Sequence, residues 1–144
     1  MKFEIIISYL DYYIIEKVIE LRVKSNPYLD QVTLAQKIGV SEGYLGKIEN
    51  PKEHAKYNIR MLGRVALALG LDSYCELLPK NLPKDDLVKI TYEENKSHSN
   101  KHSLGKNGKI KRKYKPISVV PLTENEIEKW IKDGKPYLKI LDTK

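Results

Sequence analysis

One cysteine, one tryptophan and two methionines stand among 144 residues, and each scarcity narrows the reading. The single Cys75 forms no intramolecular disulfide, and within DSYCELL it reads as a small core residue, not a reactive thiol. Long apolar runs are missing as well. The opening MKFEIIISYL is interrupted by Glu4, is too short to span a bilayer, and reaches Asp11 without a small-residue cleavage site. A cytoplasmic protein without membrane contact is therefore expected. No nucleophile sits beside a base and a third orienting group, no glycine-rich loop suits a phosphate, and no acids pair in a recognisable frame. Neither an enzyme nor a cofactor is expected. His98 and His102 have a helical i, i+4 spacing, yet no Cys or acidic ligand lies near them in a low-complexity tract, so no metal is expected either.

Acid is absent where it matters most. Residues 1–78 carry ten bases against ten acids, and residues 116–144 carry five against five. Residues 79–115 carry eleven against four, so the whole excess of +7 lies between the two ends. Within that segment, residues 95–115 hold eight bases and no acid. Such a stretch attracts phosphates almost regardless of sequence. Two early prolines, Asp85-Asp86 and a Ser/Asn/Lys/His run disfavour a packed core, so residues 79–115 are expected to form a basic linker or arm. Asn107-Gly108 suits a tight turn. After it, KIKRKYK alternates Ile110, Arg112 and Tyr114 against lysines, a pattern for a strand or arm whose Lys111, Arg112 and Lys113 would follow a phosphate backbone.

The most informative segment is Gln31–Asn50, QVTLAQKIGVSEGYLGKIEN. Leu34, Ala35 and Ile38 form one apolar stripe, Val40 follows a turn, and Leu45 with Ile48 form a second stripe. Gly39 sits where the first helix must end in a left-handed residue, and Ser41 starts the second as its N-cap. Glu42, Gly43, Gly46 and Lys47 are left on the face turned away from the core. Gly46 inside a helix costs about 1 kcal/mol relative to alanine, which reads either as a close approach by a groove or partner or as an accident of sequence. Upstream, Ile14, Ile15, Val18, Ile19 and Leu21 make a helical face that Asn26-Pro27 stops. Downstream, Asn58 can cap a helix carrying Met61, Leu62, Val65, Ala66 and Leu69 up to Gly70, and a short fifth helix is expected from about Ser73 to Leu78.

At Gln-x-x-Leu-Ala-x-x-x-Gly-Val-Ser and the later Leu-x-x-Ile-Glu, the chain resembles the lambda-repressor-like, Cro/cI-type helix-turn-helix regulators (the XRE family) over about residues 12–78. The resemblance implies a five-helix DNA-binding domain over residues 1–78. It also implies a structural ion pair between Arg22 and Glu49. Gln31 becomes a phosphate clamp, and Ser41 to Lys47 the segment entering the major groove of double-stranded DNA. There Glu42 can accept from cytosine N4, Lys47 can donate to guanine, and Tyr44 can touch a thymine methyl or a phosphate, while Gly43 offers no side chain. Lys52 and Lys56 fall in the following loop, where such regulators hold the DNA backbone.

Residues 116–144 read as a small strand–helix–strand unit. Ile117–Val120 suits a strand, Thr123-Glu124-Asn125-Glu126 is a capping box, Ile127, Trp130 and Ile131 form a helix face, and Tyr137–Leu141 is a second apolar segment. A unit of about thirty residues is too small to fold alone, so it must dock on the helical domain or pair with a second copy. Together these readings predict a mainly α protein that acts as a sequence-directed transcriptional regulator, as a homodimer on two half-sites. The competing expectation is a protein-binding module, an antitoxin or adaptor, whose C-terminal unit completes a partner's sheet.

Overall fold

Lys2–Ser8 alternates buried Phe3, Ile5 and Ile7 with partly exposed neighbours, the period of a strand with one covered face. The computed structural model describes residues 1–141, and in it this segment is β1. Leu87–Glu94 has the same period and forms β2, burying Val88, Ile90 and Tyr92. β2 pairs antiparallel with β1, with Ile5 opposite Ile90. Two further short strands, β3 (Ser103–Leu104) and β4 (Ile110–Lys111), make a separate two-stranded ribbon. β5 (Tyr114–Pro121) pairs with β2 through a register shift at Thr91/Tyr92, and β6 (Leu138–Ile140) pairs with the other side of β1. The main sheet is thus antiparallel with order β5-β2-β1-β6.

This sheet overturns the expectation of a mainly α chain. The fold is α+β. The segment expected to be a basic linker supplies β2, a central strand, because Val88, Ile90 and Tyr92 alternate with Lys89, Thr91 and Glu93. Charge count hid that alternation, since Lys89 and Glu93 face away from the buried side.

The first four helices lie between β1 and β2 in the chain. α1 (Tyr9–Val23) starts at Ser8, whose hydroxyl accepts from the Asp11 N–H. α2 (Gln31–Ile38) starts at Asp30 and ends at Gly39 with φ 77°, the left-handed geometry that releases the chain into a turn. α3 (Glu42–Glu49) begins after Ser41, and α4 (Ile59–Ala68) after Asn58, each with the cap side chain accepting a backbone N–H. A 3₁₀ turn at Tyr74–Leu77 stands where a fifth helix was expected, and Cys75 is exposed there, not in the core. α5 (Glu124–Lys132) carries the Thr123/Glu126 capping box and links the two edge strands β5 and β6.

Two apolar cores result. Leu34, Ala35, Ile38, Leu45, Ile48, Val65 and Leu77 centre the helical one; Phe3, Ile5, Ile7, Val88, Ile90 and Tyr92 form the one under the sheet. Ile15 of α1 packs against both. Residues 116–141 therefore join the sheet of their own chain, through β5 on β2 and β6 on β1. Among the described residues, no helix is long and apolar enough to cross a membrane.

Candidate nucleic-acid interface

Leu45 and Ile48 anchor α3 with almost no exposure, which fixes the rotation of this eight-residue helix and turns Glu42, Gly43 and Lys47 outward. Ser41, also exposed, accepts the Tyr44 N–H at 3.0 Å. Tyr44 is 37% exposed, and its hydroxyl donates to the Lys56 carbonyl at 3.3 Å, so its ring leans toward the following loop.

The C-terminal end of α3 is tied to the interior by Glu49. Arg22 Nε donates to Glu49 Oε2 at 3.1 Å and Arg22 Nη2 to Oε1 at 2.6 Å, a fork in which both side chains are 1% exposed. Burial opposes the Arg22 charge, but the Glu49 carboxylate and its hydrogen bond outweigh it and hold the guanidinium pKa above its ordinary value. Gln31 Nε2 also donates to Glu49 Oε1, at 2.8 Å. The amide expected to clamp a phosphate is thus directed inward, onto the carboxylate that orients α3.

His102 reaches the same carboxylate from the acid-free segment. It is 6% exposed, its Nδ1 lies 3.4 Å from Glu49 Oε1 without a hydrogen bond, and its carbonyl accepts from the Tyr28 hydroxyl at 3.0 Å. Burial first, then the charges of Arg112 and Arg22, push its pKa down to about 3. The Glu16 carboxylate pulls the other way but does not offset these. The imidazole is accordingly neutral at physiological pH.

Arg112 departs from its expected role. Its guanidinium donates to both carboxylate oxygens of Glu16 at 2.5 and 3.1 Å and to the Tyr114 carbonyl at 2.7 Å, with 10% of the side chain exposed. It is a buried tie between the basic segment and α1, because a desolvated cation needs a carboxylate more than a surface phosphate. Lys52 and Lys56 also turn inward. The Lys52 ammonium sits 5.5 Å from the Phe3 ring and 5.2 Å from that of Tyr114, and Lys56 sits 4.7 Å from the Tyr137 ring, its pKa lowered by burial. With Tyr137 donating to the Pro51 carbonyl at 2.9 Å, the loop after α3 is fastened to the sheet. Lys113 lies 4.0 Å from Glu94, whereas Lys111 is exposed.

These ties place the basic segment beside α3. A cleft of about 430 Å³ runs between them, with Gly43, Gly46 and Lys47 on one wall and Asn100, His102 and Lys113 on the other. Lys101, Lys106, Lys109 and Lys111 on and around the ribbon are exposed. Sequence reasoning found the α3 wall from helical periodicity. It missed the opposite wall, because nothing local announces that His102 meets Glu49 or that Arg112 meets Glu16. The one available signal was the alternation that makes β2, which brings residues 95–113 back across the helices.

Comparison with family models, curated proteins and solved structures finds no match for this chain. The reading of the cleft rests on its own residues.

Proposed function

We propose that the chain is a cytoplasmic binding protein for double-stranded DNA, a transcriptional regulator and not an enzyme, that inserts the exposed side of α3 into the major groove. The observation that carries this reading is the adjacency of two surfaces: the outward-facing side of α3 with Lys47 in its last turn and, across one cleft, a lysine-bearing ribbon whose segment contains no acid. Of the eight bases in residues 95–115, Arg112 and Lys113 have carboxylate neighbours, which leaves Lys96, Lys101, Lys106, Lys109, Lys111 and Lys115 exposed for phosphates. Lys47 and Glu42 are the side chains placed to read base edges, so direct readout is sparse and the ribbon supplies much of the affinity. Two copies on two half-sites, one helical turn apart, would multiply that modest readout.

Binding of the full chain to DNA from upstream of its own gene and to a scrambled duplex, across a salt series, tests the reading. Replacing Lys106, Lys109 and Lys111 together by alanine should flatten the logarithmic salt dependence by about 2.7, at ~0.9 for each phosphate no longer neutralised. Lys47→Ala should weaken the preferred site by ~1–3 kcal/mol while leaving the scrambled duplex nearly unchanged. Absence of binding to either duplex at low salt would sink the proposal.

A further inference from the structure

Gly43 and Gly46 have no explanation inside the chain. Both lie in α3, where glycine is the least favourable residue short of proline, and neither takes a positive φ that would require it. An added Cβ at Gly43 meets nothing within 4 Å, and one at Gly46 meets only Gln31 Oε1 at 3.8 Å, an ordinary contact. Other glycines contrast with them. At Gly105 a Cβ would stand 3.0 Å from the Lys109 backbone carbonyl, and Gly39 holds φ +77°, a conformation that strains any Cβ, so the protein's own structure accounts for those two. What Gly43 and Gly46 share is the cleft they line.

The opposite wall is polar. His102, nine-tenths buried, lines the cleft with its Nδ1 turned toward Glu49 Oε1 at 3.4 Å, beside the exposed residue Asn100. Lys47 brings an exposed ammonium from the α3 wall, which Glu42 also lines, while Lys113 on the other wall lies 4.0 Å from Glu94. If α3 occupies the major groove and the lysine ribbon lies beyond it, the strand separating two neighbouring grooves has to pass between them. We infer that the cleft between α3 and residues 100–114 seats one sugar–phosphate strand of the duplex, and that Gly43 and Gly46 keep its floor low enough to admit that strand. The inference rests on the DNA-binding reading and adds where the backbone runs and why a helix beside it carries two glycines.

The two roles of these glycines oppose each other, which makes them separable. Gly43→Ala and Gly46→Ala, singly and together in the full chain, should raise the melting temperature by about 2–4 °C each, since alanine favours the helix and its methyl group has room. The same variants should lose affinity for a mixed-sequence duplex by about tenfold or more, with the parent chain measured alongside. Gly39→Ala serves as the control, expected to melt lower because a Cβ is strained at φ +77°. Variants that melt higher and bind as tightly as the parent overturn the inference and leave the DNA-binding reading standing. Variants that melt lower overturn it too, by showing that the fold itself needs these glycines. A parent that binds no duplex removes the DNA-binding reading, and the strand with it.

Discussion

Glu49 is the residue on which three parts of the molecule converge, since Arg22 of α1, Gln31 of α2 and His102 of the basic segment all approach its carboxylate. Removing one partner of so buried a pair leaves the other charged and unpaired. Glu49→Ala should cost about 3–5 kcal/mol and lower the melting temperature on the order of 10 °C. An apolar double replacement, Arg22→Met with Glu49→Leu, should cost less than Glu49→Ala alone; a thermal melt of both variants decides. His102 adds a pH dependence with a definite sign. Its pKa is lower folded than unfolded, so between about 3 and 6.5 the unfolded chain binds a proton there that the folded chain does not. Its stabilising share is complete above pH 6.5 and is lost as pH falls, at roughly 1.4 kcal/mol per unit. Glu16, Glu49, Arg22 and Arg112 surround it, and replacing the imidazole by an uncharged amide isolates its share. Urea midpoints at pH 7 and pH 5 should differ more in the parent than in His102→Gln; equal differences would refute the assignment.

At the scale of elements, the helix boundaries were legible because their signals are short-range. Asp30, Ser41, Asn58 and Thr123 each accept the N–H three residues on, and Gly39, Gly70 and Gly134 take the left-handed geometry that ends a helix. Strands were legible only in part. The segment around Ile117–Val120 showed its β-branched residues, whereas β1 and β2 were obscured, one by its resemblance to an apolar leader and the other by its charges. Both carry a clear period of two in Phe3, Ile5, Ile7 and Val88, Ile90, Tyr92. The site followed the same division. Its α3 wall came from local periodicity, while its second wall depends on pairings such as Arg112 with Glu16, ninety-six residues apart, which no window of sequence contains. β5 also bears on the competing idea that this unit completes a partner's sheet. It is an edge strand with Ile117, Val119 and Val120 each more than 40% exposed, yet Pro116 and Pro121 bring no N–H to a neighbour. Prolines so placed blunt an edge against added strands.

For the molecule as a whole, the sheet and the helices are not independent halves. α1 contributes Ile15 to both cores, Arg112 crosses from the basic segment to Glu16, and Lys52 and Tyr137 fasten the loop after α3 to the sheet. Residues 1–79 alone retain every helix up to the 3₁₀ turn but lose all partners of β1, so Phe3, Ile5 and Ile7 would face water. That fragment should aggregate or melt without a cooperative transition. A monomeric, cooperatively melting fragment in size-exclusion and thermal experiments would show the helical part to be self-sufficient.

The placement of β1 also imposes an order on biosynthesis. β1 leaves a ribosome before both of its sheet partners, β2 and β6, and about eighty residues separate its end from the start of β2. At roughly 5–20 residues per second, that is about 4–16 s during which a nascent apolar strand has no hydrogen-bonding mate. The helices between them can condense in that interval, because the residues they bring together are close in sequence. β1 must wait, with Phe3, Ile5 and Ile7 uncovered until Val88, Ile90 and Tyr92 have been made.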